Sequence, residues 1–213
     1  MPIEQIGTYH LANNPQLYEP QRSNTFEFVV ADLDGIAMVG ATNANSVFRN
    51  AQEIIRCSVI GAPIPHFTQE PIQVKRGNST MKFAGTPTFD AGQITLNDFI
   101  GANTKEILMA WQNLSYNVKT EKVGALARTN YKKDCYLIEY APDFVKVRQW
   151  VLHGCWISGI SEDDYNAESS DKKTIQATIQ YDWAELDTTA YTGIIRIVAT
   201  TFAFSVVSSL IIL

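Results

Sequence analysis

Apolar and polar residues alternate through residues 72–98, and this alternation is typical of β-strands that bury one face. Two short runs flank the pair Gly77 and Asn78, which supplies the positive φ of a tight hairpin turn. The sequence therefore predicts a β-hairpin. Pro87 then breaks the ladder because proline has no N–H to donate, and a third strand follows at residues 94–96. The apolar positions of the hairpin are Ile72, Val74, Met81 and Phe83.

The tip of this hairpin is polar and basic, with Lys75 and Arg76 before the turn and Ser79 after it. These side chains are either simply solvated or form the part of the hairpin that docks onto a neighbouring subunit. On the second interpretation the candidate interface combines the apolar positions, the turn and the basic tip. Its residues are Ile72, Val74, Lys75, Arg76, Gly77, Asn78, Ser79, Met81 and Phe83.

Two strands are predicted before the hairpin. The first begins at Thr25 and ends in a turn at residues 32–35, whose Asp and Gly residues favour a turn. The second is predicted at residues 55–59, and the prolines that follow favour a long exposed loop over residues 63–71. The apolar positions of these strands are Phe26, Phe28, Val30, Ile55, Cys57 and Val59.

More strands are predicted after an irregular segment at residues 118–134. Residues 136–151 alternate on both sides of Pro142 and form a second predicted hairpin. The most regular alternation lies at residues 174–183, where a polar face meets water or a polar partner. The apolar face of that strand carries Ile175, Ala177, Ile179, Tyr181 and Trp183, and the polar face carries Thr174, Gln176, Thr178, Gln180 and Asp182.

One helix interrupts the β pattern. Asn103 and Glu106 have the spacing of an N-cap residue and its carboxylate partner, which places a helix start here. Apolar residues then follow at helical spacing, and such a stripe normally packs on a sheet. The sequence therefore predicts a mainly β protein with a single helix. The apolar stripe consists of Ile107, Leu108, Trp111 and Leu114.

Composition restricts the class of protein. The 213 residues, 46% of them apolar, are enough for one domain with a real core. A net charge of −5 argues against a groove that grips nucleic acid, because that affinity depends on clustered cations. Cys57, Cys135 and Cys155 are odd in number and widely spaced, so we interpret them as buried apolar residues in a reducing compartment. The N-terminus lacks the pattern of a signal peptide.

No catalytic motif appears, so we expect neither an enzyme nor a cofactor. His10, His66 and His153 lie in an arm, a proline loop and a strand, without a partner at a recognisable spacing. An acidic run at residues 161–171 lacks the ligand spacing and central glycine of a calcium loop, so a solvated loop is predicted and no metal is expected. The tryptophans are assigned to core packing because too few cations accompany them for base stacking.

The two ends of the chain differ from its middle. Residues 1–24 lack periodicity and predict an arm ordered by contact with another surface. Residues 197–213 carry no charge but fall short of the about 20 residues that a membrane helix needs. Their β-branched content favours strands covered by the fold or by a neighbour, with a membrane helix as the alternative. We therefore predict an arm (1–24), a β domain (25–186) and an apolar extension with β structure (187–213), without a membrane span.

From about Asn24 to Trp183, the order of these elements resembles the tail tube proteins of contractile-tailed bacteriophages of the T-even type. The longer N-terminal arm, an insertion at residues 40–50 and the extension after Trp183 depart from that pattern. The segments that carry the resemblance are residues 24–28, 55–63, 72–98, the helix with Trp111, and residues 131–133, 154–156 and 181–183.

The resemblance implies a small antiparallel β-barrel or sandwich with one flanking α-helix and an extended hairpin. Six copies would form a ring, and stacked rings would form the inner tail tube, with the hairpin of residues 72–83 in the wall or in ring stacking. Expected partners are identical copies, the tail sheath protein, and the baseplate and tape-measure proteins. DNA would pass through without sequence-specific binding, past a wall that repels phosphate. The expected location is the virion tail, with assembly in the host cytoplasm.

Three alternatives stay open at this stage. The chain could form the inner tube of a contractile injection device or of a type VI secretion system. It could also initiate the tube at a baseplate and form isolated rings. A carbohydrate-binding β-sandwich is the alternative from a different class, and it would stay monomeric.

Overall fold

The computed structural model describes residues 20–37, 47–168 and 170–187. Antiparallel strands dominate this part of the chain, so the prediction of a mainly β fold is confirmed. In chain order the elements are β1 (Phe26–Val30), β2 (Ile36–Ala37), β3 (Val47–Phe48), α1 (Ala51–Ser58), β4 (Val59–Gly61), β5 (Phe67–Gln69), β6 (Ile72–Arg76), β7 (Ser79–Phe83), β8 (Pro87–Phe89), β9 (Gly92–Asn97), α2 (Thr104–Ser115), β10 (Tyr116–Asn117), β11 (Lys122–Val123), α3 (Leu126–Thr129), β12 (Lys133–Tyr140), β13 (Lys146–Glu162), β14 (Thr174–Gln180) and β15 (Trp183–Leu186).

One sheet of seven strands forms a nearly closed barrel. Its strand order is β1-β12-β13-β14-β9-β4, and β15 follows β14 along the same edge of β13. The long strand β13 makes this arrangement possible. Its first half pairs with β12 and β15, and its second half pairs with β14. Apolar side chains that point inward form the core, and the largest fully buried ones include Phe28, Val30, Ile94, Leu96, Ile157 and Ile175.

Helix α1 lies between the two ends of the sheet, where it contacts both β1 and β9. The strand predicted at residues 55–59 is therefore wrong over most of its length. Ala51, Ile55 and Ser58 are buried at helical spacing, and the backbone N–H of Gln52 donates to Asp34 Oδ1 at 2.9 Å in the first turn. A short run such as Ile55-Arg56-Cys57 fits both periods, so alternation alone could not identify the helix.

Helix α2 is confirmed, with Ile107, Leu108 and Trp111 buried as predicted. It packs against β13 and against α1. The predicted cap is wrong, because Asn103 has a left-handed φ of 54° and its side chain caps no N–H group. The described part of the chain also has two substantial helices, α1 and α2, where one was expected.

The cysteines are partly as predicted. Cys135 and Cys155 are buried, and burial raises the pKa of the Cys135 thiol well above its ordinary value. Cys57 is exposed because it lies on the outer side of helix α1, which the strand prediction missed. All three thiols are free.

The last predicted strand bends after Tyr181. Ile175, Ala177 and Ile179 face the core as expected. β14 ends at Gln180, and in β15, which begins at Trp183, the even-numbered residues are the more buried ones. Trp183 is 44% exposed, so its assignment to the apolar face is wrong. The predicted hairpin around Pro142 is confirmed as β12 and β13. The irregular segment before it contains the short ladder β10–β11 and the turn of helix α3.

The predictions for most of the N-terminal arm, for most of the insertion at residues 40–50 and for almost all of the C-terminal extension lie outside the described residues. In the described part, Gln21 at the end of the arm donates from Nε2 to the Tyr140 carbonyl at 2.7 Å. Each helix in this part is too short or too polar to traverse a bilayer.

Candidate assembly surface

A long two-stranded extension, formed by residues 67–89 and called the β-arm, leaves the barrel between β4 and β9. Its outer part is the ladder β6–β7, in register from Ile72 opposite Phe83 to Arg76 opposite Ser79. All ten residues of this ladder are exposed. The predicted hairpin is therefore confirmed, and all nine residues of the candidate interface lie together on it.

The turn of the arm has the geometry that the sequence predicts. Gly77 has a φ of +63°, whereas Asn78 is not among the residues with positive φ. Glycine at the first central position with positive φ is the requirement of a type II′ hairpin turn. The Ser79 hydroxyl adds a hydrogen bond to the Arg76 carbonyl at 2.9 Å.

The arm is apolar on one face and polar on the other. Ile72 lies opposite Phe83, and Val74 lies opposite Met81, so the four side chains share one face. Their exposed fractions lie between 42% and 57%. Contiguous exposed apolar side chains of this kind mark a surface that becomes buried against another protein. The polar face carries Gln73, Lys75, Thr80 and Lys82.

The base of the arm is longer than predicted. Part of the expected loop at residues 63–71 is strand β5, which pairs with β8, and Pro87 lies within β8 opposite Gln69. Proline is tolerated there because the ladder has only two strands, which leaves an edge without a required donor. The Phe89 ring contacts both Phe67, at 5.6 Å between centroids, and Tyr181, at 5.9 Å, and so fixes the arm to the barrel.

The space beneath the base of the arm is too small for a ligand. It is lined by Pro63, His66, Asp90 and Tyr181, among others, and its free volume of about 10 Å³ holds at most one water molecule. The Tyr181 hydroxyl donates to the His66 carbonyl at 3.3 Å, and burial raises the pKa of this tyrosine. These contacts connect the arm to the barrel.

The predicted acidic loop is confirmed at the opposite end of the sheet, between β13 and β14. Glu162 accepts from Lys105 at 2.7 Å and from Lys173 at 2.8 Å, and these hydrogen bonds lower its pKa and raise the pKa of both lysines. Asp163 accepts from the backbone N–H and the hydroxyl of Thr174, which lowers its pKa. Over the described ranges, no cluster of potential ligands could hold a metal ion.

Besides β1 and β4, which end the sheet, the second half of β13 and strand β15 each have an edge without a partner among the described strands. The second half of β13, from Trp156 to Glu162, pairs only with β14. Strand β15 pairs only with β13. Because β14 and β15 lie on the same side of β13, these two open edges face opposite sides of the sheet. Open edges present unpaired backbone groups that another chain can satisfy.

The outer face of β9, β14 and the second half of β13 is uncharged. Its polar side chains alternate with buried ones, and the Gln93 amide donates to Gln176 Oε1 across the ladder at 2.9 Å. The hydroxyl and amide side chains on this face belong to Gln93, Thr95, Asn97, Ser158, Ser161, Thr174, Gln176, Thr178 and Gln180.

His153 has carboxylate neighbours that its sequence position did not reveal. Its Nδ1 lies 3.4 Å from Asp134 Oδ1 and its Nε2 lies 3.6 Å from Glu185 Oε1, and its ring stacks on Trp183 at 4.0 Å. The carboxylates come from the two strands that flank β13, so only the strand register brings them together. The group contains no hydroxyl or thiol side chain that His153 could activate, and we interpret it as a contact that holds β15 on the sheet.

Comparison with known proteins adds the class of fold. No family model and no curated protein matches this chain. Solved structures do match, and three of them are each 15% identical to this chain. One comes from the sheath–tube complex of the extracellular contractile injection system PVC and covers 83% of this chain and 96% of that chain, with a TM-score of 0.53. The others are from the PVC sheath/tube terminator (80% of this chain, 99% of that chain, TM-score 0.53) and the tube-terminating cap of the anti-feeding prophage (79% of this chain, 91% of that chain, TM-score 0.51).

These structural neighbours are tube and tube-terminator proteins of contractile injection systems, and this chain has their fold. They are structural proteins and not enzymes. The likeness is consistent with the resemblance to phage tail tube proteins found in the sequence.

Proposed function

We propose that this chain is a structural subunit that assembles with identical copies into the hollow inner tube of a contractile, phage-tail-like particle. The observation that carries this proposal is the exposed apolar face of the hairpin, formed by Ile72, Val74, Met81 and Phe83. A two-stranded ladder is marginally stable alone in water, so such a face is understandable if another subunit covers it. The shared fold with tube proteins supports the same role.

The two open strand edges support lateral assembly. In this proposal the second half of β13 of one copy pairs with β15 of the next copy. Because the two edges differ, the contact is heterologous, and repeated copies close a ring when the rotation between them allows it. The resemblance to phage tail tubes suggests six copies in each ring. A closed ring would remove both open edges.

The uncharged outer face is the proposed wall of the passage. Side chains such as Gln93, Gln176 and Thr178 form neither ion pairs nor large apolar contacts with a polymer that moves past them. The net charge of −5 is therefore carried elsewhere than on this face. In this proposal DNA slides because an uncharged wall binds it weakly, and not because the wall repels phosphate as the resemblance led us to expect. We propose DNA ejection by a phage tail as the function, with the sheath, baseplate and tape-measure proteins as partners and the virion tail as the location. A protein-injecting device is the alternative.

A tube terminator or initiator is the second candidate. Two of the matching structures are a terminating cap and a sheath/tube terminator. A terminator forms isolated rings, whereas a tube subunit forms long polymers. Negative-stain images of the purified protein distinguish these two outcomes.

Sedimentation velocity of the full chain over a wide concentration range tests the role of the hairpin. We expect Val74→Ser combined with Met81→Ser to abolish large assemblies, because it removes two neighbouring side chains of the apolar face. Gln73→Ser combined with Thr80→Ser is the matched control, since it changes the opposite face of the same strands. Equal behaviour of the two variants, or a wild-type monomer at every concentration, would contradict the proposal.

A further inference from the structure

The basic hairpin and the acidic loop lie at opposite ends of the same sheet. The hairpin leads into β9 at Gly92, which is paired with Ile179 near the end of β14. The acidic loop leads into β14 at Thr174, which is paired with Asn97 at the other end of β9. The six residues of β9 separate the two ends by about 20 Å at the rise of an antiparallel strand.

The hairpin itself carries only positive charge. Lys75, Arg76 and Lys82 are exposed, and no acidic residue lies between Ile72 and Phe83. None of the three cations forms an ion pair with a described residue. Their charges are therefore available to an acidic partner. Another copy of this chain, which is acidic as a whole, is such a partner.

The loop end carries exposed negative charge around an aromatic side chain. Asp164 and Glu168 are exposed and form no ion pair among the residues that the structure describes. Between them lies Tyr165, which is 86% exposed and has Lys173 Nζ 3.7 Å from its ring centroid. The loop thus offers both carboxylates and an apolar ring.

We propose that the hairpin of one copy docks onto the acidic loop of a copy in the adjacent ring. Lys75 and Arg76 would meet Asp164 and Glu168, while the apolar hairpin face would cover Tyr165. This inference rests on the proposed function and adds which surfaces meet between rings.

The same charge arrangement fixes the direction of stacking. Two copies that met hairpin to hairpin, or loop to loop, would place like charges opposite each other, which opposes association. A contact between unlike ends repeats without closing on itself and generates a polymer with a defined polarity. The tube would therefore grow with the hairpin end of every ring pointing the same way.

Charge reversal on each side tests this pairing. We expect K75E combined with R76E, and separately D164K combined with E168K, to leave folded subunits and rings but to prevent long tubes. The variant with all four reversals restores opposite charges across the contact, so tubes should return. Reversal of two other exposed cations, K119E in the β10–β11 turn combined with K122E in β11, is the matched control and should leave tubes unchanged.

Negative-stain microscopy gives the result, and unchanged denaturation midpoints establish that each variant is folded. Long tubes from either two-residue reversal, or a fourfold variant that is folded but forms no tubes, would overturn the pairing. Wild-type tubes in the same experiment would still support the proposed function. A wild-type protein that forms neither rings nor tubes would contradict the proposed function itself.

Discussion

Gly154 faces Asp182 at the point where β13 and the neighbouring edge strand both bend, and a β-carbon on Gly154 would lie 2.3 Å from Asp182 Oδ2. Gly154 also has a φ of +68°, a conformation that side chains other than glycine rarely adopt. Lys132 binds the same carboxylate at 2.7 Å. The bend turns Trp183 outward. It also lets β13 pair with β15 in its first half and with β14 in its second half.

Gly154→Ala is expected to lower the free energy of unfolding by about 2 kcal/mol, because the left-handed conformation and the contact with Asp182 both oppose a β-carbon. Gly159→Ala is the matched control in the same strand. It has no positive φ, and no atom lies within 4 Å of the position that a β-carbon would take, so its stability should change by less than about 0.5 kcal/mol. Urea denaturation measures both. Equal losses for the two variants would show that the bend does not require glycine.

Ser58 and Thr104 connect the two helices through a buried contact of 3.1 Å between their hydroxyl oxygens. Ser58 donates to the Ile54 carbonyl at 2.6 Å, so Thr104 must be the donor between the two hydroxyls. Ser58→Ala should therefore cost about 1–3 kcal/mol of stability, because it leaves the Thr104 hydroxyl without an acceptor. In the double variant with Thr104→Val the total loss should be smaller than the sum of the single losses. A strictly additive cycle would contradict this contact.

The stability of the protein is expected to fall in acid. Hydrogen bonds from Lys105 and Lys173 lower the pKa of Glu162 in the folded protein. Its contribution to the free energy of unfolding is therefore fully present above the unfolded pKa of about 4.3 and is lost as the pH falls through the folded pKa. Glu162→Gln should flatten the decline of the denaturation midpoint below about pH 5. Glu70→Gln, at an exposed position without a described ion pair, should follow the wild type. Parallel curves for all three proteins would contradict the role of Glu162.

Gly77→Val should impair assembly while the barrel keeps its stability. The φ of +63° strains valine, although no atom lies within 4 Å of a β-carbon at this position. Gly77→Asn is the control, since asparagine tolerates positive φ. Sedimentation and thermal denaturation of both variants give the result. Unchanged assembly of the valine variant would show that hairpin geometry does not control docking.

The sequence predicted the hairpin because its pattern is local, and the assignment of its nine residues to an interface stays a prediction. Alternation on both sides of Gly77 determines the turn, the register and the apolar face together. The open edges and the opposite charges of the two ends were not predictable, because they depend on how β9, β13 and β14 pair across long sequence separations.

The errors in the predicted fold also have physical reasons. Residues 55–59 are too few to separate a helical from an extended period, and the helix is fixed by buried contacts with distant elements such as β1 and α2. Trp183 changed face because the bend opposite Gly154 shifts the alternation of buried positions by one residue, from Ile179 and Tyr181 to Ala184 and Leu186. The alternation of apolar and polar residues along one strand cannot reveal a bend that pairing with a neighbouring strand imposes.

Electron microscopy of the purified full chain tests most directly whether identical copies satisfy the open edges and cover the hairpin. We expect rings that stack into hollow tubes, with continuous sheet between β13 of one copy and β15 of the next and with the hairpin buried between rings. Monomers with both edges free, or rings joined through other surfaces while the hairpin stays exposed, would contradict it.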